Sequence, residues 1–147
     1  MKLINRDADY AVKALLSVAR REGATVPVTD LTAQLGLPRP YLRKIMQTLA
    51  RQGFVRSAKG RGGGFVLARP AGRIAVADVV RAFQGPISLH DCLSKEKLCP
   101  DVSACPLRKS LERLERRLVR DLQALTVASI LKENVGRPAA RTQGGQP

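Results

Sequence analysis

The sequence predicts a mainly α fold with a small β-hairpin wing: a winged helix-turn-helix continued by a long C-terminal dimerisation helix. Three observations predict it. Apolar residues recur at three- and four-residue steps in separate segments divided by glycine and proline. One pair of short segments switches to strand-like composition around a glycine-rich tip at residues 60–64. A single-faced leucine stripe then runs from Leu107 to Leu125.

The first helix is expected over residues 7–21, with Ala8, Ala11, Val12, Leu15, Val18 and Ala19 on one broad face and Gly23 as its breaker. Pro27 precedes a short second helix, residues 29–35, in which Leu31 and Leu35 lie four apart. Gly36 follows, where a tight turn needs a residue tolerant of positive φ. The third helix is expected over residues 39–52. Pro40 suits its first turn, where a missing N–H has no partner to lose, and Leu42, Ile45, Met46 and Leu49 form its buried stripe. Residues 54–57 and 65–68 read as two strands of a hairpin whose tip, Ala58 to Gly64, is basic and glycine-rich. A fourth helix covers residues 76–83, with Val76, Val79, Val80 and Phe83 inward, and Gly85-Pro86 stops it.

Residues 87–106 carry every cysteine and show no regular period. From Leu107 the helical pattern returns; a helix over residues 107–125 is about 28 Å long at 1.5 Å per residue. Its other faces carry six basic residues and two glutamates between Arg108 and Arg120, so the stripe of Leu111, Leu114, Leu118 and Leu122 needs an apolar partner surface. A second copy of the same helix is preferred over packing on its own domain. Thr126 is expected to cap a last short helix through Leu131, and the tail after Gly136, lacking an apolar pattern, is expected to be disordered. The organisation expected is therefore a DNA-binding domain over residues 1–85, a cysteine-rich loop over 86–106, dimerisation and terminal helices over 107–134, and a tail over 135–147.

Composition narrows the function. Of 147 residues, 44% are apolar, enough for a modest core, but no stretch approaches the roughly 18 consecutive apolar residues of a membrane span. The opening Met1-Lys2-Leu3-Ile4-Asn5-Arg6-Asp7 lacks the apolar run of a signal peptide, so a cytoplasmic location is expected. The formal charge of +14 implies a polyanionic partner. Its distribution points to DNA: between Asp30 and Asp78 there is no acidic residue, while Arg39, Arg43, Lys44, Arg51, Arg56, Lys59, Arg61, Arg69 and Arg73 fall there. These charges straddle turns and short strands, unlike the single amphipathic basic helix of a membrane-surface protein. No aromatic platform for stacked bases sits among them, which disfavours RNA. Arg43, Lys44, Gln47 and Arg51 fall opposite the buried stripe, on the face a helix would offer to the major groove. Lys59 and Arg61 sit on the hairpin tip, suited to the negative potential of a narrow minor groove.

Cys92, Cys99 and Cys105 are separated by six and five residues, and two of them precede proline. Structural zinc sites favour cysteine pairs two to four residues apart, so zinc is disfavoured. Iron–sulfur clusters accept wider spacings and often include Cys-Pro. A metal-free thiol pair and a catalytic cysteine, with His90 as the sole candidate base, stand as alternatives.

The stretches Met1-Lys2-Leu3, Asp9-Tyr10-Ala11-Val12, Tyr41-Leu42-Arg43-Lys44-Ile45, Leu49-Ala50-Arg51-Gln52-Gly53-Phe54-Val55 and Gly60-Arg61-Gly62-Gly63-Gly64-Phe65, with three cysteines before a long helix, carry a resemblance. The chain resembles the bacterial winged-helix family that includes the iron–sulfur regulator IscR, the nitric-oxide sensor NsrR and the iron regulator RirA. The resemblance implies a homodimer with crossed long helices, a recognition helix at about residues 39–51 that adds Arg39 and Tyr41 to the DNA-contact candidates, and a wing at 58–64. Tyr41 also fits a core position. A [2Fe–2S] or [4Fe–4S] cluster on Cys92, Cys99 and Cys105 is implied. Some members take a fourth ligand from a His three residues after the last cysteine, where this chain has Arg108; others use an Asp of the partner's first helix, where it has Asp9. Asp9 is the leading fourth ligand and His90 the second. The reading is a non-enzymatic, double-stranded-DNA-binding regulator, a repressor in the first instance, governed by an iron–sulfur cluster. A metal-free thiol regulator and a basic iron–sulfur redox protein are the rivals.

Overall fold

The computed structural model describes residues 3–89 and 103–134. Its order is α1 (Arg6–Ala19), α2 (Val28–Leu35), α3 (Arg39–Arg51), β1 (Val55–Ala58), β2 (Gly64–Leu67), a 3-10 turn (Ala71–Arg73), α4 (Val76–Gln84), α5 (Pro106–Ala124) and α6 (Val127–Asn134). All the helices expected from periodicity form, with ends within three residues of the expected bounds. The 3-10 turn has no counterpart among the expected elements; it carries the chain from the hairpin into α4.

Asn5 opens α1: its side chain accepts from the Ala8 N–H at 2.8 Å, one of the helix's four orphan donors. The same residue's N–H donates to Gln84 Oε1 at 2.7 Å, and Gln84 Nε2 donates to the Leu3 carbonyl at 2.9 Å. The amide at the end of α4 therefore holds the start of α1.

The main core lies where α1, α2 and α3 meet. Ala11, Leu15, Val18, Leu31, Leu42, Ile45, Met46 and Leu49 are all buried there, joined by Phe54 and Val55 from the hairpin base. Each leucine or isoleucine so buried contributes about 1.5–3 kcal/mol relative to exposure. The helix-turn-helix angle is set at Gly36, which takes φ 62° and ψ 31°, a conformation a Cβ disfavours.

The hairpin is antiparallel, with Val55 opposite Leu67 and Ala58 opposite Gly64. Its strands are offset by one residue from the expected 54–57 and 65–68. The Phe54 N–H is taken by the Leu49 carbonyl, closing α3, so the ladder begins one residue later. Val26 adds a further rung by exchanging both backbone hydrogen bonds with Phe65. Gly64 makes that approach possible: a Cβ there would lie 2.1 Å from the Val26 carbonyl oxygen.

A second cluster of Ala8, Val76, Ala77, Val80 and Ile87 receives Leu118, Val119 and Leu122 of α5 and Leu125 just after it. Leu118 and Leu122, expected in a seam with a second copy, are thus half-buried against their own chain. Leu111 is also half-buried, whereas Leu107 and Leu114 are 63% and 55% exposed. The end of α5 is fixed by backbone bonds from Val76 N–H to Leu125 and from Val127 N–H to Ile74. Thr126 and Ser129 cap α6 reciprocally, each hydroxyl accepting the other's N–H, in agreement with the expected cap at Thr126. Val127 is fully buried in the main core, so α6 packs with the N-terminal helices. The tail expected to be disordered, residues 135–147, lies outside the described residues.

Candidate nucleic-acid interface and cysteine segment

The buried stripe of α3 fixes which residues it can offer outward. With Leu42, Ile45, Met46 and Leu49 inward, Arg39, Arg43, Lys44, Gln47 and Arg51 are all exposed. Lys59 and Arg61 are exposed on the turn between β1 and β2. That turn is closed by a Gly63 N–H to Gly60 carbonyl bond of 3.0 Å. Of the nine cations in the acid-free interval, eight are exposed, and none of those eight forms an ion pair with a carboxylate among the described residues. The ninth, Arg69, is half-buried. A patch of unpaired guanidinium and ammonium groups is chemically suited to phosphate neutralisation, and Arg and Gln on an exposed helix face can reach base edges.

Tyr41 sits differently from its neighbours. It is half-buried, and its hydroxyl donates to the Asp7 carboxylate of α1 in a short hydrogen bond. Its ring meets Tyr10 edge-on at 6.0 Å, and the Arg6 guanidinium lies 5.6 Å from the Tyr10 centroid and 5.9 Å from that of Tyr41. The Asp7 hydrogen bond, followed by burial, pushes the Tyr41 hydroxyl above its ordinary pKa of 10.0. Tyr41 therefore joins the first turn of α3 to the first turn of α1, a pairing across 34 residues that local sequence cannot announce.

Residues 4–133 match the Rrf2 family, described as an iron-dependent transcriptional regulator. The chain belongs to the Rrf2 family. It is accordingly a transcriptional regulator and not an enzyme, and Rrf2 regulators bind DNA. The Rrf2 fold recurs in solved structures. CymR, the global cysteine regulator of B. subtilis, is 23% identical, covers 90% of this chain and 98% of its own, and superposes with a TM-score of 0.76. IscR of T. potens is 24% identical, covering 100% and 94%, with a TM-score of 0.71. An oxidised form of Staphylococcus aureus CymR is 25% identical, covering 90% and 97%, with a TM-score of 0.70. These matches agree with the winged-helix architecture expected from the sequence. No helix among the described residues is long and apolar enough to cross a membrane.

In this Rrf2 chain, Cys105 occupies the position before α5 and is half-exposed, its carbonyl accepting from the Lys109 N–H at 3.3 Å. Cys92, Cys99 and His90 lie outside the described residues. The approach to the cysteine segment is anchored: the Leu89 N–H donates to Glu115 Oε2 of α5 at 2.9 Å. Asp9 stands in the first turn of α1, 51% exposed, and accepts from Lys13 Nζ at 2.7 Å. Arg108 pairs through Nε with Glu112 at 2.9 Å. Among the described residues no three potential metal ligands gather at one place.

Proposed function

We propose that this Rrf2 regulator acts as a homodimer on double-stranded DNA, reading the major groove with α3 and the adjacent minor groove with the wing, and that an iron–sulfur cluster sets its affinity. The observation that carries the DNA reading is the run of eight exposed cations from Arg39 to Arg73 without a carboxylate partner among the described residues. Arg43 and Gln47 are assigned to base edges, with Arg39, Lys44 and Arg51 beside them; Lys59 and Arg61 are assigned to the backbone and minor groove.

For the cluster, the donor chemistry fits. Three thiolates without a closely spaced pair suit iron and sulfide better than tetrahedral zinc. Cys105 is accessible at the start of α5, and the Asp9 carboxylate is exposed, with only a surface lysine as its ion-pair partner among the described residues. Cys92, Cys99 and Cys105 would hold the cluster, with Asp9 of the partner subunit completing it. When bound, the cluster would supply a redox- and iron-responsive cross-link among the residues that hold it. By linkage it can alter DNA affinity only through a difference in its interaction with the DNA-competent and incompetent arrangements.

A second reading is a metal-free thiol regulator, favoured by the similarity to the cysteine regulator CymR and to its oxidised form. The deciding experiment is the visible spectrum and iron content of protein purified without oxygen, followed by a gel shift on A·T-rich promoter DNA before and after chelation. Visible charge-transfer bands, bound iron and a shift altered by chelation support the cluster. A colourless, iron-free protein whose shift responds only to thiol oxidation supports the second reading.

A further inference from the structure

Arg69 lies in the acid-free interval, yet it alone of the nine cations there is half-buried. It lies just beyond β2 and turns back onto the end of α3. Its Nε donates to the Gly53 carbonyl at 3.0 Å and its Nη2 to the Gln52 carbonyl at 2.9 Å. Its guanidinium carbon stands 4.7 Å from the Phe54 ring centroid. Gln52 caps α3, where carbonyls lack intrahelical partners and the negative end of the macrodipole lies, and Gly53 follows it, so a cation with a fixed fork of donors suits the pair of carbonyls. One side chain from the exit of the wing thereby grips the exit of the recognition helix.

We propose that Arg69 is a positioning residue for DNA recognition: it locks the wing to α3 so that both meet the duplex in register, and it does not itself touch DNA. Two neighbouring bonds share the work. Ala68 N–H donates to the Phe54 carbonyl at 3.0 Å, and Phe54 N–H to Leu49 at 2.9 Å, but both are backbone bonds along the strand and helix ends. Arg69 supplies the only side-chain hydrogen bonds among the described residues that span Gln52 or Gly53 and the strand exit. A wing free to swing about that exit still attracts phosphate through Lys59 and Arg61, but it no longer presents them at a fixed distance from Arg43 and Gln47.

This rests on the DNA reading above, and the test separates the two. The probes are a duplex selected by the wild-type protein from a randomised library and a shuffled duplex of equal composition. Binding is followed by fluorescence anisotropy over a series of salt concentrations for wild type, Arg69→Ala and Arg69→Lys. Arg69→Ala is expected to weaken the selected duplex by roughly tenfold, about 1.4 kcal/mol. It should leave the shuffled duplex within about twofold and the slope of log affinity against log salt unchanged, because every phosphate-neutralising cation is still in place. Arg69→Lys, which keeps the charge and offers no fork, is expected to recover only part of the affinity. If Arg69→Ala does not fold, judged by circular dichroism, the comparison of Arg69→Lys with wild type carries the same expectation in reduced size. A salt slope smaller by about one, with equal weakening on both duplexes, makes Arg69 a phosphate-binding residue and overturns the proposal. So does a lowered melting temperature with unchanged affinity for the selected duplex. If the wild type selects no duplex at all, the DNA reading itself falls, and the role of Arg69 with it.

Discussion

At the scale of single residues, α3 divides its polar side chains between solvent and its own chain. Arg43 and Gln47 are exposed and suited to bidentate pairing with base edges; Arg43→Ala or Gln47→Ala is expected to relax sequence preference by about 1–3 kcal/mol, measured as the ratio of affinities for selected and mutated duplexes. Lys59→Ala or Arg61→Ala should instead weaken binding to all duplexes and lower the salt slope by about one for each phosphate no longer neutralised. Tyr41 belongs to the inside group. Its hydrogen bond is to the Asp7 carboxylate, and removing a bond to a carboxylate costs about 1.5–3 kcal/mol, with the low end expected at a half-buried site. Tyr41→Phe should show this destabilisation in urea unfolding at neutral pH. The pH dependence has a definite sign. The fold raises the Tyr41 pKa, so it favours the protonated phenol; this stabilisation is complete below the unfolded value near 10 and is lost as pH rises through the folded value. Tyr41→Phe should remove that alkaline step. The outward face of α3 is legible in the sequence because a helical period assigns an opposite face to any buried stripe. The Asp7–Tyr41 bond and the inward turn of Arg69 are not, because both depend on distant segments meeting.

At the scale of elements, the wing depends on backbone proximity more than on its side chains. Its two strands form four residue pairs, and the third edge is a single bridge at Val26. That bridge ties the hairpin to the segment before α2, and Gly64 is the position where a side chain is excluded by the Val26 carbonyl. Gly64→Ala must push the strands apart or break the bridge. A destabilisation of about 2–4 kcal/mol is expected from such backbone strain, read as a lower midpoint in chemical denaturation. Equal stability of Gly64→Ala and wild type would show that the wing moves freely against α2. The hairpin is visible in the sequence through its change of period and its glycine-rich tip. The exact strand ends lie beyond it, because the start of the ladder is decided by which carbonyl captures the Phe54 N–H, and Leu49 at the end of α3 captures it. The 3-10 turn at Ala71–Arg73 is equally hidden, since three residues carry no period.

At the scale of the molecule, α5 is divided between its own chain and what lies outside. Its C-terminal half, through Leu118 and Leu122 with Leu125 just beyond, covers the cluster around Val76 and Val80. It is held there by the Asp78, Arg81 and Gln123 side chains, with Arg81 Nη1 at 3.3 Å from Gln123 Oε1 and Gln123 Nε2 at 3.3 Å from Asp78 Oδ2. Its N-terminal half exposes Leu107 and Leu114. The leucine stripe is evident in the sequence; its division is not, because periodicity finds an apolar face without naming what covers it. The division separates two substitutions that the stripe alone would treat alike. Leu118→Asp puts a charge against the chain's own core and should lower the melting temperature. Leu114→Asp should leave the monomer fold intact and dissociate the proposed dimer, giving a sedimentation coefficient of a folded monomer at micromolar concentration. A wild type that sediments as a monomer there would remove the dimer, and with it a ligand donated by the partner. The cysteine segment begins where Leu89 is bonded to Glu115 and returns at Cys105, so both its ends are fastened to α5. Neither apolar cluster includes Cys105. Replacing Cys105 by Ala is therefore expected to abolish colour and iron binding while changing the stability of the iron-free protein by less than about 1 kcal/mol, as for a substitution outside the core. Asp9→Ala should keep a cluster, since three thiolates remain, but with altered absorption and faster iron release to a chelator, because a carboxylate is the harder and more exchangeable ligand in the set. Identical spectra and chelation rates for Asp9→Ala and wild type would transfer the fourth position to His90 or an external donor. Retained iron and colour in Cys105→Ala would instead remove the cluster and leave thiol chemistry as the means by which this regulator responds.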